Sequence, residues 1–440
     1  MIKYLMFLAV MVLMIACGVK EESICNNGEW KAEAGVVSEC VENIWVMRRI
    51  TRQWGTLYND AGSALTMDAK GNFYVAGGAI DDNEEDKYDS LTLIKWNQDG
   101  TKAWSRSWST DKLEMTTALA TDPHGGIYVV GSTTGKIDDN VCAGRTDAFL
   151  IKWNDSGVKE WSKEWGTNED EIAYAVTLDA TSNIYITGMT RGSLDGNVHD
   201  GRLCGEYGDG APLPCGDIFL TKWDKYGTKL WTRQWGSSGG NEGRAISVDS
   251  TNNVYVAGRI GGEQILVKWS SDGEKLWSKT FDWMQIYSLL ADSTGNVYVS
   301  GNICDENISD CHIFLTKISK DGDIEWTKRW GNYVEGLSPQ ALSLFVANDS
   351  EYVYVTGSIW GDWEERESSG GHDVFITKWD AKGNNNMIER LWGTEEYDAG
   401  TYIKVDGAGD IYVVGWTNGG IDGNATVGGK DLFFTQWLVE

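Results

Sequence analysis

The residues best suited to chemistry in this chain of 440 residues are short acidic triplets of the form Asp-x-Asn, which recur in similar loops. In three loops a further Asp follows before the next β-rich run. The sets are Asp138, Asn140 and Asp147; Asp195, Asn197 and Asp217; and Asp422, Asn424 and Asp431. Carboxylate and amide oxygens two residues apart, with a third carboxylate close by, are hard ligands of the kind that Ca²⁺ prefers. Ca²⁺ is therefore the one cofactor that the sequence suggests. The same triplets also fit a plain turn, whose side chains cap their own backbone.

Three tryptophans stand in loops of the same kind, at Trp360, Trp363 and Trp416. Loop aromatics next to acidic residues could stack on a sugar or on a peptide. The alternative is that each ring packs locally on its own part of the fold. Most of the other tryptophans among the 23 recur at fixed repeat positions, which is typical of core packing.

A third set of acids lies in the links between repeats, at Asp60, Glu171 and Asp398. Each falls five residues after the glycine of a Trp-Gly pair and leads into a new strand. These positions are expected near the mouth of a central channel, where a cation or a basic peptide could bind. An ordinary solvated surface is the alternative.

The cysteines indicate an oxidising compartment and three loop-closing pairs. The expected pairs are Cys25–Cys40, Cys204–Cys215 and Cys304–Cys311. Cys142 is left over, either as a free thiol or as a partner of Cys204 or Cys215. The spacings match no zinc-finger pattern.

Motifs of an enzyme are absent from the sequence: there is no Gly-x-Ser-x-Gly, no HExxH and no P-loop. We therefore expect a protein that is not an enzyme, although sites assembled from several repeats escape a linear scan. The net charge of −27 repels nucleic acid and anionic headgroups, so a charged partner would be a cation or a basic protein.

The elements that must position these residues come from one repeat, seen most clearly at Ala175–Gly188 and Asp217–Gly236. Each copy reads as four short antiparallel strands rich in β-branched and aromatic residues, bounded by Gly, Asn or Asp. The second strand recurs seven times, for example as Val254-Tyr-Val-Ala-Gly258. One such meander cannot bury both of its faces, so it must stack on its copies.

The last copy lacks a fourth strand, and the N-terminal segment supplies one. Residues Ile50-Thr-Arg-Gln-Trp-Gly55 match Trp231-Thr-Arg-Gln-Trp-Gly236 and precede the first complete repeat. A ring of blades whose last sheet takes its outer strand from the N-terminus explains this offset. The sequence therefore predicts an all-β fold, a seven-bladed β-propeller of four-stranded antiparallel blades closed by the N-terminal strand.

These motifs resemble the bacterial SBBP-type β-propeller repeat, whose units read D-x-x-G-N-[IV]-Y-V-x-G, then G-x-[LI]-D-G-N, D-x-F-[LV]-x-K-[WY] and W-x-[RK]-x-[WF]-G-T. The resemblance spans roughly residues 50 to 440, and all seven copies are recognisable. It implies the propeller fold, and it carries no activity with it.

The N-terminus resembles that of a bacterial lipoprotein. Residues 1–16 read as a signal peptide that ends before Cys17, the expected site of lipidation. The alternative is an ordinary signal peptide followed by an incidental cysteine. The resemblance implies the outer membrane, because Gly18 rather than Asp follows the cysteine. We expect residues 17–44 to form a tether and residues 45–440 the propeller. The resulting hypothesis is a monomeric, lipid-anchored binding scaffold for a protein or glycan at the cell envelope, acting through its long-loop acidic face. The alternatives are a glycan-directed lectin or enzyme, and an outer-membrane assembly lipoprotein.

Overall fold

The computed structural model describes most of the chain from residue 30 onward. The described residues are 30–33, 35–41, 44–54, 60–80, 88–108, 112, 114–140, 142–199, 201–282, 284–304, 311–330, 340–347, 352–360, 368–384, 390–406 and 409–438. Residues 1–16, Cys17 and Cys25 lie outside them. The helices in the described residues are two single 3₁₀ turns, Leu194–Gly196 and Ile421–Gly423, and neither is long enough to cross a membrane.

The described residues form seven blade sheets, which we number blade 1 to blade 7 in chain order, and a two-stranded hairpin inserted in blade 3. The strands of blades 1 to 3 are Asp60–Met67, Phe73–Ile80, Tyr88–Trp96 and Lys102–Trp108; Glu114–Thr121, Ile127–Thr133, Asp147–Trp153 and Lys159–Trp165; and Glu171–Leu178, Ile184–Thr190, Asp217–Trp223 and Lys229–Trp235. Those of blades 4 to 6 are Glu242–Val248, Val254–Ile260, Glu263–Trp269 and Lys275–Phe281; Met284–Ala291, Val297–Cys304, Cys311–Ile318 and Ile324–Trp330; and Gln340–Ala347, Tyr352–Trp360, His372–Asp380 and Arg390–Trp392.

Blade 7 joins the two ends of the chain. Its strands are Asp398–Val405, Ile411–Thr417, Asp431–Trp437 and the N-terminal Ile44–Trp54. The first strands of successive blades lie against one another, and that of blade 7 lies against that of blade 1, so the ring closes. The predicted seven-bladed propeller and its closure by the N-terminal strand are confirmed.

The segment that the sequence analysis assigned to the tether contributes to this last blade. Strands Val36–Val41 and Trp30–Glu33 continue the sheet outward from the N-terminal strand, so blade 7 has six strands. The tether prediction was therefore wrong for residues 30–41. These two strands could not be predicted, because they lie outside the repeat and have no second copy to be compared with.

Tryptophans hold adjacent blades together. The tryptophan that ends the fourth strand of one blade packs on the tryptophan that ends the third strand of the next, as in the Trp165–Trp223 pair, with ring centroids 5.0 Å apart. The same contact recurs between Trp235 and Trp269 at 4.9 Å. Aromatic pairs of this kind stabilise an interface beyond the area that they bury, which explains why tryptophan recurs at these positions.

The glycine that ends each Tyr-Val-x-Gly strand is required by a close approach to the first strand. A Cβ at Gly188 would lie 1.9 Å from the carbonyl oxygen of Ile172, and one at Gly415 would lie 1.9 Å from that of Ala399. The first strand carries a bulge at this level in every blade, and the bulge directs its carbonyl at the glycine. The repeated glycine is therefore a packing requirement.

Candidate functional site

The candidate residues share one end of the propeller, which we call the loop face. Because the strands of each blade are antiparallel, the first and third strands begin at this end and the second and fourth strands finish there. The loops between second and third strands and the links between blades therefore emerge together, as the sequence predicted. The turns between third and fourth strands, such as that containing Tyr226, lie on the opposite face.

In each acidic triplet, the Asp adopts a left-handed backbone conformation and the Asn closes the turn. The φ angles of Asp138, Asp195 and Asp422 are +55°, +50° and +53°. The side-chain Nδ2 of Asn197 donates to the Leu194 carbonyl at 2.8 Å, and Asn140 and Asn424 make the same bond to the residue three positions earlier. An amide that donates to a carbonyl in this way is shaping its own turn.

The Asp carboxylates of the triplets bind the outermost strand of the repeat. Asp195 accepts from Lys229 Nζ at 2.8 Å and from Thr232 Oγ1 at 2.6 Å. Asp138 is held likewise by Lys159 and Ser162, and Asp422 by Arg49 and Thr51 of the closing strand. Each triplet therefore fastens a loop to the fourth strand of its blade.

The Asp that follows each triplet is buried and binds a different group. Asp217 Oδ2 accepts from Gln234 Nε2 at 2.9 Å, and Asp431 Oδ2 accepts from Gln53 Nε2 at 2.7 Å and from the Val427 amide. Asp147 accepts from the Ala143 amide. These contacts support the alternative in which the three sets fasten turns and strands, and calcium binding at them stays a prediction.

Calcium is therefore expected to leave the thermal stability of the protein unchanged. A cation that bound only the folded protein would raise its melting temperature with concentration. At these loops it would have to displace lysine or arginine from the triplet carboxylates. The measurement is a melting curve in excess EGTA and across a Ca²⁺ titration, with Mg²⁺ as the control. A saturable, Ca²⁺-selective rise that is lost in Asp195→Ala would restore the calcium hypothesis.

Two of the three link acids, Glu171 and Asp398, are fully buried, which corrects their assignment to a binding surface. Glu171 accepts from the Thr167 amide and hydroxyl and from the Thr190 hydroxyl, and Asp398 accepts from the Thr394 amide and hydroxyl. The sequence signal that we missed is the threonine four residues earlier, whose amide and hydroxyl the acid caps. Asp60 begins the first strand of blade 1, and its side chain lies outside the described residues.

Buried acids from neighbouring blades converge at these links. Carboxylate oxygens of Asp373 and Asp398 both lie beside Gly393, within 2.6 Å of the position that a Cβ would occupy there. Carboxylate oxygens of Asp147 and Glu171 lie equally close to the corresponding position at Gly166. Burial raises the pKa of Asp398 to about 6, although hydrogen bonds from Thr417 and Thr394 lower it. Repulsion from Asp373 raises it by a smaller amount. Burial also raises the pKa values of Glu171, Asp147 and Asp373.

Glu164 adds a second carboxyl beside Asp147. It occupies the place of Gln234 in blade 3 and Gln53 in blade 7, where the amide donates to the corresponding Asp. Burial raises the pKa of Glu164, and the carboxylate of Asp147 raises it further. The thiol of Cys142 completes a group of three ligand atoms within 4.8 Å of one another.

Of the predicted disulfides, Cys204–Cys215 is confirmed, with a Cα–Cα distance of 4.9 Å. Cys142 is a free thiol, and burial raises its pKa. Cys304 and Cys311 are opposite each other in the backbone register of blade 5, but their side chains lie outside the described residues. The pair Cys25–Cys40 cannot be described because Cys25 and the side chain of Cys40 lie outside those residues.

Two of the predicted loop tryptophans belong to one row of aromatic rings that crosses the seam between blades 6 and 7. We call it the aromatic row; it runs through Trp360, His372, Tyr397 and Trp416 and ends at Lys430. The centroids of neighbouring rings are 5.4, 4.0 and 4.7 Å apart, and Lys430 Nζ lies 3.6 Å above the Trp416 ring. Trp363, the third predicted tryptophan, lies outside the described residues.

The order of the rings determines which of them a ligand can reach. Tyr397 stacks on Trp416 with 15° between the ring planes, and Lys430 covers that indole as well. His372 is buried between its neighbours, and neither ring nitrogen has a hydrogen-bond partner among the residues that the structure describes. Burial lowers the pKa of His372, so the imidazole is neutral. Trp360 is 41% exposed and is the ring that the row presents to solvent.

No family model matches this chain. It is 23% identical over 204 residues to the uncharacterised WD repeat-containing protein L264 of Acanthamoeba polyphaga mimivirus, a match that covers 41% of this chain and 14% of that protein. It is 26% identical over 198 residues to the regulatory protein FlaEY of Caulobacter vibrioides, covering 44% of this chain and 17% of FlaEY. The match therefore spans less than a fifth of either relative.

Solved structures with a similar arrangement have low sequence identity to this chain. A Bacteroides caccae protein of unknown function is 12% identical, with a TM-score of 0.38 over 72% of this chain and 93% of that one. The acylaminoacyl peptidase of Pyrococcus horikoshii is 11% identical, with a TM-score of 0.46 over 80% of this chain and 48% of the peptidase. YCF48 bound to D1 peptide is 8% identical, with a TM-score of 0.46 over 89% of this chain and 96% of YCF48.

Proposed function

We propose that this protein is a non-enzymatic binding propeller of the bacterial cell envelope and that its loop face binds another protein. The observation that carries the proposal is the exposed Trp360 at the end of the aromatic row. Trp360 packs on the buried His372 ring, and a large aromatic side chain supported in this way is the usual anchor of a protein–protein contact, because less side-chain entropy is lost on binding.

Other apolar side chains on the loop face support the same proposal. Val427, in the loop of blade 7, is 41% exposed, and Val198, in the loop of blade 3, is 85% exposed. The two valines belong to different blades, so each adds a single exposed apolar contact to the loop face, and Tyr226 is comparably exposed on the opposite face. Glu171 and Asp398 are buried, so they do not contribute to an acidic binding surface on the loop face. The acids that remain on the surface would attract a basic partner.

The covering of the aromatic faces favours a protein partner over a glycan. A sugar stacks on an open aromatic face. Trp416 has Tyr397 and Lys430 against it, so among the described rings of the aromatic row Trp360 is the one open for such contact. Within that row, one open ring suits a single anchor better than a platform for successive sugars. A glycan-directed lectin or enzyme is the alternative outcome of the experiment below.

The proposed location follows from the N-terminal sequence. Lipidation of Cys17 would anchor the chain to the outer membrane by lipid alone, with the propeller free to meet its partner. Labelling with a palmitate analogue, compared between wild type and Cys17→Ser, tests the anchor.

Trp360→Ala is expected to weaken binding of the partner at least tenfold, about 1.4 kcal/mol or more, without lowering the melting temperature. Partner candidates are recovered from envelope extracts by crosslinking, and the affinity of each purified candidate is then measured. Tyr226→Ala, which removes an exposed ring on the opposite face, is the matched control. Recovery of outer-membrane assembly proteins would support that more specific role. Selective binding on a glycan array, lost in Trp360→Ala, would replace the protein proposal by the lectin.

A further inference from the structure

A second site on the loop face lies between blades 3 and 4, away from the aromatic row. It is a cavity of about 220 Å³, lined by Met189, Arg191, Cys204, Leu213, Gly216, Gly240, Asn241, Glu242 and Arg259. It is half open to solvent and has room for a small organic group.

The outer wall of the cavity is a hairpin inserted in the loop of blade 3, and it is fixed at both ends. The hairpin strands are Leu203–Glu206 and Pro212–Pro214, and the Cys204–Cys215 disulfide closes their base. At the tip, the Tyr207 hydroxyl donates to Glu169 and Asp170 at 3.1 Å, and Asp209 pairs with Arg145 at 2.8 Å. A wall held in this way is preorganised, so little order has to be gained on binding.

Arginines supply the charge of the cavity. Arg191 is partly engaged, because it donates to the Pro214 carbonyl and lies 3.5 Å from Asp170. Arg259 is exposed and makes no hydrogen bond or ion pair with the described residues. The one acid in the lining, Glu242, accepts from Arg244 at 2.8 Å. Glu242 is also the residue opposite Arg259 in the strand register of blade 4.

The remaining walls are apolar or satisfied. Met189 and Leu213 present aliphatic surface beside the disulfide. Asn241 is buried, with its amide donating to the carbonyls of Gly216, Ser237 and Gly239 and its carbonyl accepting from the Gly261 amide. Arg259 is therefore the charged group of the cavity that is exposed and has no protein partner among the described residues, and it lies next to an aliphatic wall. The Nε of Arg191 is buried without a hydrogen-bond partner among those residues.

We propose that this cavity binds a carboxylate attached to a small aliphatic group, with Arg259 holding the carboxylate and Met189 and Leu213 packing on the aliphatic part. The planar guanidinium matches a carboxylate with two parallel hydrogen bonds. Apolar walls with a few polar groups are typical of small-ligand sites. A free aliphatic acid and the C-terminus of a polypeptide both present this chemistry.

The test is a titration of the purified full chain with leucine, N-acetyl-leucine, the tripeptide Gly-Gly-Leu and Gly-Gly-Leu amide, followed by ligand-observed NMR. We expect the tripeptide acid to bind and the amide to bind at least tenfold more weakly. Arg259→Gln should lower the affinity for the tripeptide acid at least tenfold. Arg329→Gln, the same charge change on the exposed outer strand of blade 5, should change that affinity less than twofold. Gly240→Leu should also abolish binding, because the space around Gly240 is open to a larger side chain.

The probes also distinguish the source of the carboxylate. Equal binding of N-acetyl-leucine and the tripeptide indicates a free acid, whereas binding of the tripeptide alone indicates a polypeptide C-terminus. Equal binding of the amide, unchanged binding by Arg259→Gln, or no binding of any probe would overturn the proposal. Trp360→Ala should leave these affinities unchanged, so this result is independent of the partner at the aromatic row.

Discussion

Replacing Asp422 with Ala is expected to destabilise the protein by about 3–5 kcal/mol, because it leaves the buried guanidinium of Arg49 without its counter-charge. The two side chains are 9% and 7% exposed and join the closing strand to the loop of blade 7. Arg49 also lies between the rings of Trp392 and Trp437, 5.5 and 4.4 Å from their centroids, so it cannot turn out to water without opening the seam. The measurement is the free energy of unfolding in denaturant.

The same substitution in other blades provides the control. Asp195 and Asp138 occupy the same turn, but their ion pairs with Lys229 and Lys159 are considerably more exposed. Exposed pairs contribute about 0–1 kcal/mol, so Asp195→Ala and Asp138→Ala should each cost far less than Asp422→Ala. Equal losses in the three variants would show that burial of the closing ion pair is not what stabilises the ring.

The second large effect is a gain of stability on mild acidification. Carboxyls with a raised pKa in the folded state, Asp398 above all, bind protons that the unfolded chain has already released. The contribution of Asp398 to the free energy of unfolding is complete below the pKa near 3.8 that it has in the unfolded chain. This contribution is lost as the pH rises through about 6. For Asp398 alone we expect a gain of about 1.4 kcal/mol between pH 8 and pH 5. The free energy of unfolding measured across this range tests the expectation.

Acids with a lowered pKa set the lower limit of the stable range. Hydrogen bonds from Asn253 and Thr251 outweigh burial and hold the pKa of Asp249 below its usual value, and Asp179 is held in the same way. Their contribution is lost as the pH falls through those lowered values. The protein should therefore be most stable in mild acid, between these two groups of titrations.

Asp398→Asn should stabilise the protein at pH 8 and flatten the dependence between pH 5 and pH 8. An amide fits this position, because Asn241 occupies the equivalent link of blade 4. We expect a gain of about 2–3 kcal/mol at pH 8, since the buried charge is removed. Glu164→Gln, which introduces the residue found in blades 3 and 7, should act in the same direction. Asp249→Asn is the contrasting control and should destabilise. A loss of stability at pH 8 in Asp398→Asn would contradict the account.

The fold could be predicted from the sequence because each blade makes the same packing contacts with its neighbours. The Trp165–Trp223 contact and the close approach at Gly188 recur around the ring, so their residues recur in the chain. Closure by the N-terminal strand was predictable from the missing fourth strand of the last repeat. The two additional strands of blade 7 were not, since residues 30–41 have no second copy.

The candidate site was predictable only in part. Trp360 and Trp416 were identified as loop aromatics, but the row also needs His372, Tyr397 and Lys430, which come from other positions in two blades and do not repeat. Burial of Glu171 and Asp398 was missed because an acid after Trp-Gly suits either an exposed link or a capped turn. The side chains that decide between the two are brought together only by the folded blades.

The most direct test of the proposed function is photo-crosslinking from single positions in the producing cell. A photoreactive phenylalanine analogue is placed at Trp360 and at Val427 on the loop face, and at Tyr226, 73% exposed, on the opposite face. We predict protease-sensitive adducts of discrete mass from Trp360 and Val427 and none from Tyr226. Adducts from Tyr226 alone, or none from either loop-face position, would contradict the assignment of binding to the loop face.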